Sequence, residues 1–146
     1  MTRTAGFLLD TCVVSELVRK VPDANVLSWM DAIRDEPQYL SVLTIGEIQK
    51  GIDRLTDSAR RVRLVDWFET AILRPFAASI LPVDAAVARR WGTLCAEAGR
   101  LGRPRPVIDS LLAATAIQYD LVLATRNTSD FDGLPVRLVN PFLPQR

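Results

Sequence analysis

"GFLLDTCVV", Gly6–Val14, opens with an apolar run and stops it on a carboxylate. Phe7–Leu9 turns no polar side chain toward water, the pattern of a strand covered on both faces in a parallel sheet. Asp10 stands at the carboxyl end of that strand. A charge beside the core is costly unless a partner neutralises it. The partner can be structural, the N–H groups of a helix that Asp10 caps, or it can be a bound cation.

Working outward, "YLSVLT" (Tyr39–Thr44), "SILPVD" (Ser79–Asp84), "LVLATRN" (Leu121–Asn127) and "VRLVN" (Val136–Asn140) read as further strands. Helical segments fall between them. The first runs from about Val13 to Lys20 and ends at Val21-Pro22. Asp23 caps a second, which carries Val26, Leu27, Met30 and Ile33 toward the core. A third begins at Thr44 with Ile45, Ile48, Ile52 and Leu55 on one stripe. Others span Ser58–Leu73, Ala85–Ala98 and Pro106–Tyr119, the last opened by proline at its first position. "GRLGRPRP" (Gly99–Pro106) is the clear break. Strands alternating with helices predict an α/β fold with a mainly parallel sheet, as one domain over residues 1–146 without internal repeats.

Composition narrows the chemistry. The 146 residues are 49% hydrophobic and 24% charged, ordinary for a soluble globular chain. A net charge of +1 gives no strong overall field to draw in nucleic acid. The cations are nonetheless mostly arginine, suited to planar phosphate contacts, and cluster at Arg60, Arg61 and Arg63 and at Arg100, Arg103 and Arg105. No apolar run approaches the roughly 20 residues that cross a bilayer. "MTRTAGFLLD" meets an aspartate before a signal-peptide core of about 7–15 residues can form, so a cytoplasmic location is expected. Cys12 and Cys95 make neither a metal pair nor a disulfide framework and read as buried fillers.

The chain contains no histidine. That excludes Ser-His-Asp and Cys-His nucleophile systems, histidine general bases and His-ligated zinc. Neither GxxxxGK nor GxGxxG occurs, so no phosphate loop of those types is present. Catalysis is left to carboxylates, hydroxyls, arginine, or a hard metal ion bound through oxygen.

Ligands of open α/β sheets bind beyond the carboxyl ends of the strands. Asp10 lies at such an end, Glu47 one helical turn past Tyr39–Thr44, and Asn127 and Asp130 just past Leu121–Thr125. Asp109 carries the strongest local argument. The positions three, four, seven and eight residues on are Leu112, Ala113, Ala116 and Ile117, all apolar, which turns Asp109 inward. An ionised aspartate there needs a cation, either a metal or a buried arginine. Thr44-Ile45-Gly46-Glu47 matches a capping box, a structural role open to Glu47. Asp84, directly before "AAVARRW", reads as a plain helix cap. Asp10, Glu47 and Asp109 together suit Mg²⁺ or Mn²⁺, which take oxygen ligands and activate water toward phosphorus.

At these residues the sequence resembles the PIN-domain family, and within it the VapC-type toxins of toxin–antitoxin pairs and the FitB-like proteins. The matching pieces are "LLDTCVVSE", "LSVLTIGEIQKGI", "ILPVD", "IDSLLAATA", "ATRNTSDF" and a closing "NPF", in family order along nearly the whole chain. The resemblance implies a three-layer α/β/α domain around about five strands. It implies a Mg²⁺- or Mn²⁺-dependent ribonuclease with an acidic pocket of Asp10, Glu47 and Asp109. Asn127 stands where aspartate is frequent, with Asp130 as the alternative source of that charge. Thr11 and Thr125 are implied as hydroxyls that orient carboxylates or water, and Cys12 stands where asparagine is frequent. Implied partners are an antitoxin covering the active-site groove, an RNA substrate, promoter DNA reached only through the antitoxin, and a second copy in a homodimer. The arginines of "GRLGRPRP" are expected along the RNA groove. Two other readings remain open: a catalytically weak FitB-like partner in a DNA-binding complex, and a metal-dependent phosphatase or DNA nuclease.

Overall fold

A computed structural model describes residues 6–145. Five strands form one sheet: β1 (Phe7–Leu9), β2 (Gln38–Ser41), β3 (Ile80–Leu81), β4 (Val122–Ala124) and β5 (Leu138–Val139). Their order is β3-β2-β1-β4-β5, and every pairing is parallel. The helices are α1 (Thr11–Glu16), α2 (Ala24–Ala32), α3 (Val42–Asp53), α4 (Ser58–Trp67), α5 (Ala85–Arg100) and α6 (Val107–Gln118). No helix among the described residues is long and apolar enough to cross a membrane.

The period-two alternation of β1 creates the layers. Leu9 packs with Val13, Val14, Val26, Ile48 and Ile52, the inward residues of α1, α2 and α3. Its neighbour Leu8 faces the other way, against Val87, Leu94, Leu112 and Ala113 of α5 and α6. Helices therefore cover both faces of the sheet, the α/β/α architecture expected for a strand with no solvated side.

Gly6 admits the chain to β1 with φ +132, a conformation open to glycine. A Cβ at that position would lie 2.4 Å from the carbonyl oxygen of Pro37, which accepts the Phe7 N–H.

Several boundaries differ from the sequence reading for local reasons. Ser41 rather than Thr44 caps α3, its hydroxyl accepting the Leu43 N–H at 3.0 Å, so β2 is shorter than Tyr39–Thr44. Thr44 is then buried inside the helix with its hydroxyl unpartnered. On α2 the inward positions are Val26, Trp29 and Ile33, while Leu27 is 47% exposed. Trp29 meets Phe7 edge-on at 5.2 Å. The expected helix over Ser58–Leu73 is continuous, but Phe68–Leu73 widens into π-helix. Asp84 caps α5 as expected, accepting the Val87 N–H at 2.9 Å, and also accepts the Tyr119 hydroxyl at 2.7 Å.

Candidate active site

The strand order reverses direction between β1 and β4, the switch point at which open α/β sheets open a crevice. Asp10 leaves β1 there, and Thr125 leaves β4. Asp10 is both cap and core neighbour. One carboxylate oxygen accepts the Thr11 N–H at 2.7 Å, and the other accepts the Thr125 hydroxyl at 2.8 Å. Only 9% of Asp10 is exposed. The structural cap read for Asp10 is therefore present, and its second oxygen is tied to the exit of β4.

Glu47 lies on the exposed side of α3 and does not return a bond to Thr44, because the cap is three residues earlier than expected. Its Oε1 instead accepts the Thr11 hydroxyl at 2.7 Å, which ties α3 to the start of α1. Asp109 sits in the first turn of α6, half-buried above Leu112, Ala113 and Ala116. That turn is fixed by Ser110, whose hydroxyl donates to the Pro106 carbonyl at 2.8 Å and accepts the Trp91 indole N–H at 2.9 Å.

Asn127 and Asp130 follow β4 on a short 3-10 turn, Thr128–Phe131, and both are exposed. The Asn127 N–H donates to the Thr125 hydroxyl at 3.1 Å, so Thr125 links Asp10 to this turn. Arg105 fastens the turn from outside, donating to the carbonyl oxygens of Asp130 and Asp132. Of the "GRLGRPRP" arginines, Arg105 is thus held by protein carbonyls at this turn. Cys12 is likewise more than filler. Its thiol donates weakly to Asp10 and accepts the Arg126 N–H at 3.4 Å. Burial, then the Asp10 charge, pushes that thiol's pKa up, so it stays a thiol.

The electrostatics reveal the convergence. Asp109 has its pKa raised first by burial and then by the charges of Asp130, Asp10 and Glu47. Charges on β1, α3 and the turn after β4 thus all reach Asp109 on α6. None of the four makes an ion pair with a lysine or arginine among the described residues. They are not drawn into a tight cage: among the described residues no three acidic or thiol groups stand close enough to hold a metal ion as they are.

A cleft of about 750 Å³ opens beside Thr11 and Glu47. Ile48, Ile52, Leu64 and Trp67 line it together with Arg19, Lys20, Arg60 and Arg63. The cluster of Arg60, Arg61 and Arg63 divides accordingly, since Arg61 pairs with Asp53 at 3.4 Å.

Glu16 is the residue that sequence reasoning passed over. It lies within "LLDTCVVSE" but has a polar look at a helix end, and nothing in its spacing marks burial. In the fold it is 4% exposed and faces Arg19 at 3.3 Å and Arg126 at 3.6 Å.

The PIN domain family matches residues 7–135. The chain belongs to the PIN-domain family. It is similar to the VapC ribonuclease Y4jK of Sinorhizobium fredii, with 35% identity over 94% of this chain and 98% of that one. It is also similar to the toxin FitB of Neisseria gonorrhoeae, with 36% identity over 92% and 97% of the two chains. A solved structure of FitAB bound to an IR36 DNA fragment superposes with a TM-score of 0.89 at 34% identity, covering 96% of this chain and 98% of that one. The all-parallel sheet and flanking helices are those of the PIN fold.

Proposed function

We propose that this PIN domain, as a single unit over residues 1–146, is a Mg²⁺- or Mn²⁺-dependent endoribonuclease and the toxin of a VapBC- or FitAB-type pair. The observation that supports the reading is that Asp109 feels the charges of Asp130, Asp10 and Glu47, while none of the four makes an ion pair among the described residues. Such a donor set fits a hard divalent ion. Mg²⁺ is held through one or two carboxylates and keeps several waters, so it needs a spread of acids rather than a closed protein cage. Asp10, Glu47 and Asp109 are the proposed ligands, with Asp130 supplying further charge and Asn127 an amide oxygen. The bound ion supplies an activated water and neutralises charge that builds on the phosphate.

The chain's own residues prepare that site. The Thr125 hydroxyl fixes the direction of one Asp10 oxygen, and the Thr11 hydroxyl does the same for Glu47. Fixed carboxylates need not reorganise as the phosphate gains charge. Asp109, half-buried and unpaired, is the group with most to gain from a cation.

The cleft beside Thr11 and Glu47 is the proposed seat of the antitoxin, because its apolar walls and basic residues suit an apolar, acidic segment. Promoter DNA is reached only through that partner, and the toxin acts in the cytoplasm as a homodimer. The relatives support this frame by name, one being a VapC ribonuclease and another a FitB toxin.

A second reading, a catalytically weak FitB-like partner in a DNA-binding complex, rests on Asn127, an amide where a fourth carboxylate would strengthen metal binding. One assay separates them. The isolated chain, with Mn²⁺, is offered single-stranded RNA, structured RNA and DNA, beside Asp10→Asn. Cleavage of RNA that is lost in Asp10→Asn and on adding chelator supports the nuclease. Folded protein that cleaves none of them favours the weak partner, and cleavage of DNA alone overturns the RNA assignment.

A further inference from the structure

Arg126 lies between two residues of the crevice, Thr125 and Asn127, yet its side chain turns away from the acids. Its guanidinium stacks 3.7 Å above the Phe142 ring and faces the carboxylate of Glu16 at 3.6 Å. Both ends of its backbone are also held. The Arg126 N–H donates to the Cys12 thiol at 3.4 Å, and the Asn140 side chain donates to its carbonyl at 3.3 Å.

These contacts close into a ring. Glu16 accepts the Asp23 N–H at 2.8 Å, and Asp23 in turn caps α2 through the Asn25 and Val26 N–H groups. The Asn25 side chain donates to the Phe142 carbonyl at 3.0 Å, and the Phe142 ring returns to Arg126. The end of α1, the start of α2, the exit of β4 and the "NPF" segment are thereby joined around one cation. A buried carboxylate such as Glu16 is tolerated because every approach to it is an N–H or guanidinium donor.

We infer that Arg126 is a positioning residue: clamped by Glu16 and Phe142, it holds the Thr125–Asn127 segment in the register at which Thr125 aims the Asp10 carboxylate. This inference rests on the nuclease reading for its effect on rate, but the clamp itself is a matter of local order. Arg126 is half exposed, and a surface ion pair alone would contribute little. Its weight comes from stacking on an aromatic face in the same geometry, and from the short distance between its own Cα and the two residues it holds. Misplacement of a reacting group by about 1 Å lowers a rate by on the order of 100-fold.

The test compares the full chain with Phe142→Leu and with the charge-balanced double variant Glu16→Gln/Arg126→Gln, which leaves no buried ion unpaired. Three quantities are read: melting temperature, kcat and KM on RNA in saturating Mn²⁺, and hydrogen exchange at the Asn127 amide. The expected result is a folded double variant whose kcat falls about tenfold or more with KM nearly unchanged, and whose Asn127 amide exchanges about tenfold faster than other turn amides change. Phe142→Leu moves both in the same direction by less. A raised KM with a flattened salt dependence means that Arg126 grips RNA, and overturns positioning. Unaltered Asn127 exchange overturns it as well, whatever the kinetics. Wild-type protein that cleaves nothing defeats the nuclease reading, and the exchange measurement then decides the clamp alone.

Discussion

The Thr125 hydroxyl donates to the Asp10 carboxylate at 2.8 Å across a separation of 115 residues. The same oxygen accepts the Asn127 N–H, so one buried hydroxyl couples the exits of β1 and β4. Thr125→Val keeps the shape and removes both bonds. Leaving these partners unsatisfied is expected to cost about 1–3 kcal/mol, measured by urea denaturation, and to lower kcat by about tenfold or more. Thr125→Ser retains the oxygen and is expected to keep most of both. A Val variant with wild-type kcat would remove Thr125 from the site.

Asp109 predicts a pH effect of defined sign. Its pKa in the folded protein is raised above the unfolded value, first by burial and then by Asp130, Asp10 and Glu47. The folded state therefore binds more protons than the unfolded one between those two values. Asp109's contribution to stability is complete below the unfolded pKa and is lost as pH rises through the folded pKa. Asp109→Asn is expected to melt higher than wild type at neutral pH without divalent ions, to show a flatter melting profile above about pH 4, and to lose cleavage. Added Mn²⁺ should raise the melting temperature of wild type and not of Asp109→Asn. An Asn variant that still gains stability from Mn²⁺ would exclude Asp109 as a ligand.

Gly6 is expected to tolerate no side chain. The new Cβ of Gly6→Ala meets the Pro37 carbonyl oxygen at 2.4 Å, on a backbone at φ +132. That oxygen also receives the Phe7 N–H, so the clash and the loss of a strand contact fall together. A destabilisation of about 2 kcal/mol or more is expected in chemical denaturation. A change under about 0.5 kcal/mol, the scale of a neutral surface substitution, would mean that β1 can shift.

Thr44 offers the opposite case. Its buried hydroxyl has no partner, so Thr44→Val removes a desolvated polar group at nearly constant volume. Stability should be unchanged or rise by about 1 kcal/mol, read as the denaturation midpoint at constant slope. A loss of stability would show that the hydroxyl is satisfied in solution.

The layers were legible because β1 is apolar throughout and the α3 stripe of Ile45, Ile48 and Ile52 has a clear period. The half-burial of Asp109 was legible from its apolar neighbours Leu112, Ala113 and Ala116. Boundaries were harder. The capping-box pattern points to Thr44, but the Ser41 hydroxyl takes that role by accepting the Leu43 N–H at 3.0 Å. Leu27 and Trp29 lie on opposite faces of α2, and it is the Trp29 face that is buried, against Phe7. Glu16 and Arg105 could not be read at all. Their roles depend on partners that lie far along the chain, Arg126 for one and the carbonyls of Asp130 and Asp132 for the other. A contact of that kind leaves no period, spacing or composition behind.

The central place of β1 in the sheet has a consequence for synthesis. Asp10 emerges from the ribosome early, but its neighbour β4 ends at Ala124 and its hydroxyl donor is Thr125. No nascent fragment that stops short of these residues can assemble the crevice, however well its first helices fold. A polypeptide whose chemistry lies in that crevice is thereby inactive until Thr125 has been added.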